Sequence, residues 1–334
     1  MGGSVNISHA DIRLLRVFNT VVECGGFAAA QVELNVGQST ISAHMAALET
    51  RLGVRLCERG RGGFRLTDQG RHIHTAAQRL FREVESFRAD VEGLRGRLAG
   101  ELHVGTVDNV ISNPSFALGE ALRRFKQRDG SIRIHLVVGR PGEVERAVVD
   151  GSLHVGISGY TRQISGITHI PLLTERQRLY CGAGHPLFGL PADAIEIDHL
   201  GKWECVKRPY VPDVDIPDSA RFRATAVAEN MEAIAFLVLS GRFIGFLPEH
   251  YAARWVDLKQ MQAVLPERMH YHSQIELLVR SSVPQSLGVR LFVEDLLAAF
   301  RCPAAQDGAS ATAPMPGESP RQRGGAVALR RGRT

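Results

Sequence analysis

The sequence has 334 residues, of which 44% are hydrophobic and 22% charged, with 40 Lys and Arg against 35 Asp and Glu. This composition excludes a disulfide-stabilised mini-protein and a chain that is disordered throughout, and the length predicts about two folded domains. No stretch reaches the roughly 18 to 20 consecutive apolar residues that a membrane span needs. The N-terminus lacks the segments of a secretory signal, so we expect a cytoplasmic protein with no membrane partner.

The net charge of +5 is distributed unevenly along the chain. Residues 1–98 carry 13 basic and 10 acidic groups, residues 99–300 carry 21 and 23, and residues 301–334 carry six and two. This distribution indicates a three-part chain with basic ends. The last part is rich in Ala, Gly, Pro, Ser and Arg, cannot form a core, and is predicted to be a disordered basic tail.

Three helices are predicted in the first 52 residues. The first begins near Ser8 and ends at Gly25-Gly26, the second covers residues 27–34, and the third begins at Gln38 after a tight turn. Two short helices joined by such a turn are typical of a helix-turn-helix, whose second helix enters the major groove of DNA. The residues predicted to contact DNA from this helix are Gln38, Ser39, Thr40, Ser42, Ala43 and His44.

A basic segment follows the third helix. Six arginines and two acids lie in residues 51–71, around a Gly60-Arg61-Gly62-Gly63 turn. We interpret this segment as the wing of a winged helix, in which Arg59, Arg61 and Arg65 contact the DNA backbone. A three-helix packing unit with a solvated arginine face would show the same apolar spacing.

These residues resemble the DNA-binding signature of LysR-type transcriptional regulators in order and spacing over about sixty residues. Gly26, Gln31, Ala43 and Cys57 depart from that signature, and Ala43 stands where many members have an Arg that contacts DNA. The resemblance implies a winged helix-turn-helix domain over residues 1–67. It is carried by Phe27-Ala28-Ala29-Ala30, Leu34, Val36-Gly37-Gln38-Ser39-Thr40-Ile41-Ser42, Leu48-Glu49, Leu52-Gly53, Leu56, Arg59 and Leu66-Thr67-Asp68-Gln69-Gly70.

A long amphipathic helix is predicted over residues 68–98. Its apolar residues alternate at spacings of four and three, which favours pairing with a second copy of the helix over packing on a globular core. A two-fold dimer suits an inverted-repeat operator, and the resemblance implies dimers that commonly form tetramers. The predicted dimerisation residues are Ile73, Ala77, Leu80, Val84, Phe87, Val91, Leu94 and Leu98.

Strands and helices alternate over residues 99–300, which predicts a doubly wound α/β domain. This region resembles the two-lobed, periplasmic-binding-protein-like effector domain of LysR-type regulators. The first lobe is placed at about residues 99–167 and 271–300, and the second at about 168–270. The expected fold is therefore a multi-domain α/β chain with a winged helix, a dimerising linker helix and a two-lobed effector domain.

Ligands of open α/β sheets bind at the carboxyl ends of strands, so we expect a small-molecule effector in the cleft between the two lobes. Arg140 and Arg208 favour an organic anion as effector, whereas Asp108 would suit an amine. Each candidate also has a structural alternative, such as a helix cap for Thr106 or Asn109. The predicted effector-binding residues are Thr106, Asp108, Asn109, Arg140, Ser158, Tyr160, Val206, Arg208 and Asn230.

Other functions are less well supported by the sequence. An enzyme is disfavoured because the chain lacks the common nucleotide-binding and nucleophile motifs, and a solute-binding protein would have no use for a winged helix. A redox regulator using Cys181 and Cys205 stays an alternative. No cofactor and no metal are expected, because His72-x-His74 and His270-x-His272 lack further ligands at suitable spacing. Contact with RNA polymerase is left open.

Overall fold

The computed structural model describes residues 8–60, 63–128, 130–159, 163–212, 216–218, 222–281 and 283–301. The chain begins with three helices and a hairpin: α1 (His9–Glu23), α2 (Phe27–Leu34), α3 (Gln38–Leu52), β1 (Cys57–Gly60) and β2 (Gly63–Leu66). Phe18, Ile41, Met45 and Leu48 are fully buried between the helices. The winged helix predicted from the sequence is confirmed.

Two contacts attach the hairpin to the helices. The Glu49 side chain accepts hydrogen bonds from the backbone N–H groups of Leu56 (2.7 Å) and Cys57 (3.3 Å). The Cα of Gly70 packs against the carbonyl of Leu56 so closely that an added Cβ would lie 1.9 Å from that oxygen. The signature residues Glu49 and Gly70 therefore fix the orientation of the wing.

Helix α4 (Asp68–Leu94) leads from the hairpin to the rest of the chain. Thr67 caps it by accepting a hydrogen bond from the Gly70 N–H at 2.9 Å. The chain leaves the helix through Gly96, whose φ of +72° suits glycine. The prediction that the helix includes Leu98 is wrong, because Leu98 is the first residue of the following strand and pairs with Gly130.

The remaining elements alternate between strands and helices as expected. The alternation is interrupted where three strands, Ile167–Gly182, Glu204–Lys207 and Arg223–Val227, follow one another without an intervening α-helix. In chain order the elements are β3 (Leu98–Thr106), α5 (Leu118–Gln127), β4 (Gly130–Val138), α6 (Pro141–Val149), β5 (Val155–Gly159), β6 (Ile167–Gly182), β7 (Glu204–Lys207), β8 (Arg223–Val227), α7 (Met231–Leu239), β9 (Phe243–Pro248), α8 (Glu249–Asp257), β10 (Met261–Ala263), β11 (His270–Arg280) and α9 (Leu287–Arg301).

Two long antiparallel strands, β6 and β11, connect two lobes of one sheet with the order β4-β3-β5-β11-β6-β9-β7-β8. β11 pairs with β5 of the first lobe, whereas β6 pairs with β9 of the second. The register between β6 and β11 shifts at Ile275/Glu276. The lobes therefore meet within these strands.

Separate hydrophobic cores fill the two lobes. Leu102, Ile157 and Phe292 belong to the first, and Leu179 and Ile244 belong to the second. Arg301, which was assigned to the tail, is the last residue of α9, and residues 302–334 lie outside the described part of the chain. Among the described helices, none combines the length and the apolar character needed to cross a membrane.

Candidate functional site

The third helix presents a polar face to solvent at its N-terminal end. Gln38, Ser39, Thr40 and Ala43 are exposed, while Ser42 and His44 are half-buried. The opposite face is anchored because Ile41, Met45 and Leu48 lie in the core. The backbone N–H of Gln38 is held by the Gln31 side chain at 3.2 Å, which fixes the turn between α2 and α3. This arrangement leaves the predicted DNA-contacting residues available for a major groove.

The basic segment divides into arginines that face solvent and arginines that bind within the protein. Arg65 is exposed on β2, opposite Glu58 on β1. Arg51 instead binds the buried Asp11 of α1, at 2.8 Å between Nη2 and Oδ2, and holds the pKa of that carboxyl well below its usual value. Arg61 and the side chain of Arg59 lie outside the described residues. Arg51 therefore joins α3 to α1 and is not free to bind DNA.

The apolar residues of α4 serve two different surfaces. Ile73 and Ala77 pack into the core of the winged helix, and Ala77 is only 3% exposed. Leu80, Phe87 and Leu94 follow at intervals of seven residues and are 36%, 68% and 90% exposed. The half-buried Val84 and Val91 lie between them. An interhelical role for Ala77 is not supported, whereas the later residues form an exposed apolar seam.

A buried polar network crosses from one lobe to the other. Glu175 accepts hydrogen bonds from Asn113 (3.2 Å) and Gln177 (3.3 Å), and its Oε1 lies 2.9 Å from Nε2 of His250. Arg208 donates hydrogen bonds to Gln177 at 3.2 Å and to the Tyr271 hydroxyl. Except for Arg208, sequence reasoning did not select these residues, because they come from separate strands, a helix and loops that only the tertiary fold brings together.

A cavity of about 230 Å³ lies beside this network, within the second lobe. The walls are mainly apolar and the polar wall is formed by Lys207, Arg208 and Tyr271. Arg208 lines this cavity and is only 4% exposed, so solvent screens its charge weakly. The apolar and small residues that line the cavity are Cys205, Val206, Val211, Ile216, Phe222, Ala224, Ile234 and Phe246.

The cleft between the lobes contains three more predicted residues. Asp108 accepts a hydrogen bond from the Met231 N–H at the start of α7 (2.6 Å), and burial raises the pKa of its carboxyl. Thr106 Oγ1 and Asn109 Nδ2 are buried without a hydrogen-bond partner among the described residues. These atoms can therefore receive a ligand that enters the cleft.

Three of the predicted effector residues make other contacts, and a fourth is not among the described residues. Arg140 binds Glu143 and, across the lobes, Glu229, so its charge is already neutralised. Asn230 caps α7 by accepting a hydrogen bond from Ala233 N–H (2.8 Å), and Ser158 is fully buried with its hydroxyl directed at the Gly159 carbonyl. Tyr160 lies outside the described residues. The structure gives no support to a ligand-binding role for the first three.

Cys181 and Cys205 are free and buried, and burial raises the pKa of each thiol to about 12. Both pair with Ile244 of β9, from opposite sides. Two strand spacings separate them by about 10 Å, beyond the roughly 7 Å limit for the Cα atoms of a disulfide. The structure therefore disfavours them as a redox pair.

Both parts of the chain match known families. Residues 12–71 match the family described as bacterial regulatory helix-turn-helix protein, lysR family, and residues 95–301 match LysR substrate binding domain. The chain belongs to the LysR family of transcriptional regulators. It is therefore a DNA-binding regulator and not an enzyme, and the redox alternative is less well supported.

Individual relatives agree with this assignment. The chain is 41% identical over 293 residues to the HTH-type transcriptional activator BauR of Pseudomonas aeruginosa, covering 86% of this chain and 95% of the relative. Among solved structures, the LysR regulator CbnR is similar with a TM-score of 0.63 at 24% identity, over 86% of this chain and 98% of CbnR. A structure of full-length CbnR with its target DNA has a TM-score of 0.60, again at 24% identity, over 87% of this chain and 100% of CbnR. LysR regulators bind DNA and small-molecule effectors and oligomerise.

Proposed function

We propose that this LysR regulator binds an inverted-repeat operator as a two-fold dimer joined through α4. The dimer acts alone or as half of a tetramer. The observation that carries this proposal is the exposed seam of Leu80, Phe87 and Leu94, at seven-residue spacing. Burial of these three side chains against a second copy removes apolar surface from water. It also brings two recognition helices to one DNA molecule.

The test replaces Phe87 by Glu and measures the mass of the full chain by analytical ultracentrifugation. We expect the F87E chain to dissociate at concentrations where the parent is dimeric. Burying the two introduced carboxylates in the apolar seam would cost about 3 kcal/mol or more of dimerisation free energy. L258E is the matched control, since Leu258 is 66% exposed and lies on the second lobe. A dimeric F87E chain with unchanged operator affinity would refute the α4 seam.

We also propose that the effector is a small organic anion that occupies the cavity of the second lobe. The buried guanidinium of Arg208 with the Tyr271 hydroxyl can hold a carboxylate, while Val206, Phe222 and Phe246 contact the apolar part. The cavity is smaller than the about 300 to 1,000 Å³ of sites for drug-sized ligands, which favours a small metabolite.

The same network offers a route from the effector to the DNA. Arg208 is linked through Gln177 to Glu175, which contacts Asn113 of the first lobe. A carboxylate on Arg208 would compete with Gln177 and change the contacts that join the lobes. An effector acts only if it favours one arrangement of the lobes, and hence of the two heads, over another.

Thermal unfolding with a series of small carboxylates, each beside its neutral amide, tests the effector proposal. We expect a carboxylate to raise Tm, its amide to have no effect, and R208M to lose the response. In the control D108N a carboxylate response should persist. Stabilisation by amines that D108N abolishes and R208M retains would contradict the proposal and favour a cationic effector.

This proposal also implies a cellular location and a further partner for the protein. A regulator that acts on chromosomal DNA works in the cytoplasm. Contact with RNA polymerase is the simplest way for it to activate a promoter, and co-purification of polymerase with the operator-bound dimer, but not with operator DNA alone, would support that contact.

A further inference from the structure

Three potential metal ligands meet on the first lobe, away from the effector cavity. Glu101 and His103 are two residues apart on β3 and therefore share a face of the strand. His135 is the register partner of His103 on the parallel strand β4. The two imidazoles are stacked with ring centroids 4.5 Å apart and planes within 4° of each other. Strand pairing thus assembles a site that no local sequence motif shows.

The distances within this group fit a small cation. Glu101 Oε2 lies 3.1 Å from Nε2 of His103, and Glu101 Oε1 lies 3.4 Å from Nε2 of His135. Ligands at about 2.0 to 2.1 Å from a tetrahedral Zn²⁺ are separated by about 3.3 Å, which is close to both values. All three ligand atoms lie within 4.8 Å of one another.

The state of the histidines also suits a metal. Nε2 of His135 is buried and makes no hydrogen bond of ordinary geometry in the described part of the chain. His103 is half-buried, and its Nε2 faces the same Glu101 carboxylate as Nε2 of His135.

We propose that Glu101, His103 and His135 form a binding site for a divalent transition-metal ion of the Zn²⁺ type, with water as the fourth ligand. Two imidazoles and one carboxylate are the donor set of such ions, whereas Ca²⁺ and Mg²⁺ prefer oxygen ligands alone. The imidazole rings of His103 and His135 are parallel, so one ring must rotate before the Nε2 lone pairs of both can point at the same ion. His135 can do so, since its strand lies at the edge of the sheet and its side chain is 40% exposed.

The site lies on the wall of a second cavity, of about 470 Å³, between the winged helix, α4 and the first lobe. Glu101, His103 and Arg82 of α4 all line this cavity, which gives an ion a path from solvent. A bound dication is repelled by Arg82, so metal binding and the packing of α4 against the first lobe oppose each other.

The experiment titrates Zn²⁺ into the full chain by calorimetry, with Mg²⁺ as the ion that should not bind. We expect E101Q, H103Q and H135Q each to lose one equivalent of Zn²⁺ or to bind it at least about tenfold more weakly. The double variant H270Q/H272Q is the matched control, because these two histidines are also neighbours on one strand face, with ring centroids 5.7 Å apart. Circular dichroism checks that each variant is folded.

A second variant tests the position of the ion. R82Q should bind Zn²⁺ several-fold more tightly, because it removes a nearby positive charge, whereas R88Q, an exposed arginine of the same helix, should not. The proposal is overturned if the parent chain takes up no Zn²⁺, if the three ligand variants bind like the parent, or if R82Q binds no more tightly.

Discussion

The winged-helix head and the effector lobes differ in how far apart in the sequence their working residues lie. In the head, the polar face of α3, the wing and the contacts that attach the wing fall within residues 38–70. In the lobes, one network joins Asn113, Glu175, Arg208, His250 and Tyr271 from five separate segments. A local motif therefore reports the function of the head, whereas the proposed effector site is assembled only when the chain folds.

The same comparison applies to charge. In the head, Arg51 neutralises Asp11 and Arg71 binds Asp68, so the count of six arginines in residues 51–71 overstates the number that are available to DNA. In the lobes, Arg140 is occupied by Glu143 and Glu229, whereas Arg208 faces a cavity. Counting charges indicates that a polyanion is a partner, but only contacts show which residues would bind it.

Two glycines allow the two regions to be disrupted separately. An Ala side chain at Gly70 would place Cβ 1.9 Å from the carbonyl oxygen of Leu56, and one at Gly182 would place it 2.1 Å from that of Val238. These carbonyl groups belong to the backbone, so they cannot shift without disturbing the packing around them. We therefore expect each variant to lose about 3 kcal/mol or more of unfolding free energy. G70A should lose operator binding and keep the effector response, and G182A should lose the effector response.

Urea unfolding, operator binding and effector-induced Tm shifts of the full chain would measure these effects. The matched control is G119A, because a Cβ at this helical position meets nothing within 4 Å. It should be neutral or stabilising by up to about 1 kcal/mol. Equal loss of operator and effector binding in both G70A and G182A would show that head and lobes do not fold as separable units.

The wing offers a smaller effect that concerns the head alone. If Arg65 contacts a phosphate, R65Q should weaken binding to all DNA sequences and reduce the slope of log affinity against log salt by about 0.9. R223Q is the control, since it removes the same charge from an exposed residue of β8 in the second lobe. Anisotropy titrations at several salt concentrations measure both slopes. A reduced slope in R223Q alone would mean that the lobes, and not the wing, bind the DNA backbone.

The accuracy of the sequence predictions follows the same division. Apolar periodicity was sufficient for α1, α2 and α3, and turn residues were sufficient for the hairpin. Leu98 was misassigned because it continues the four-and-three spacing of α4, although Gly96 ends that helix. Glu175 and His250 were missed because a polar residue on a strand or helix shows no ligand role until its partner is known. Arg208, whose role in effector binding stays a prediction, could be selected from the sequence because it directly follows the carboxyl end of β7.

The cysteines give the smallest expected effect and separate the regions once more. Cys24 in the head is half-buried, whereas Cys181 and Cys205 in the second lobe are buried with pKa values of about 12. At pH 8 only about one in 10⁴ of these two thiols is ionised, so a thiol reagent should modify Cys24 first and the other two only on unfolding. Labelling in a C302S background, followed by mass spectrometry, measures the order. Peroxide should affect the operator affinity of the native chain no more than that of the C181A/C205A variant, because two strand spacings prevent a disulfide between the native cysteines. A Cys181–Cys205 disulfide in peroxide-treated native protein would show that the second lobe rearranges far more than its packed core suggests.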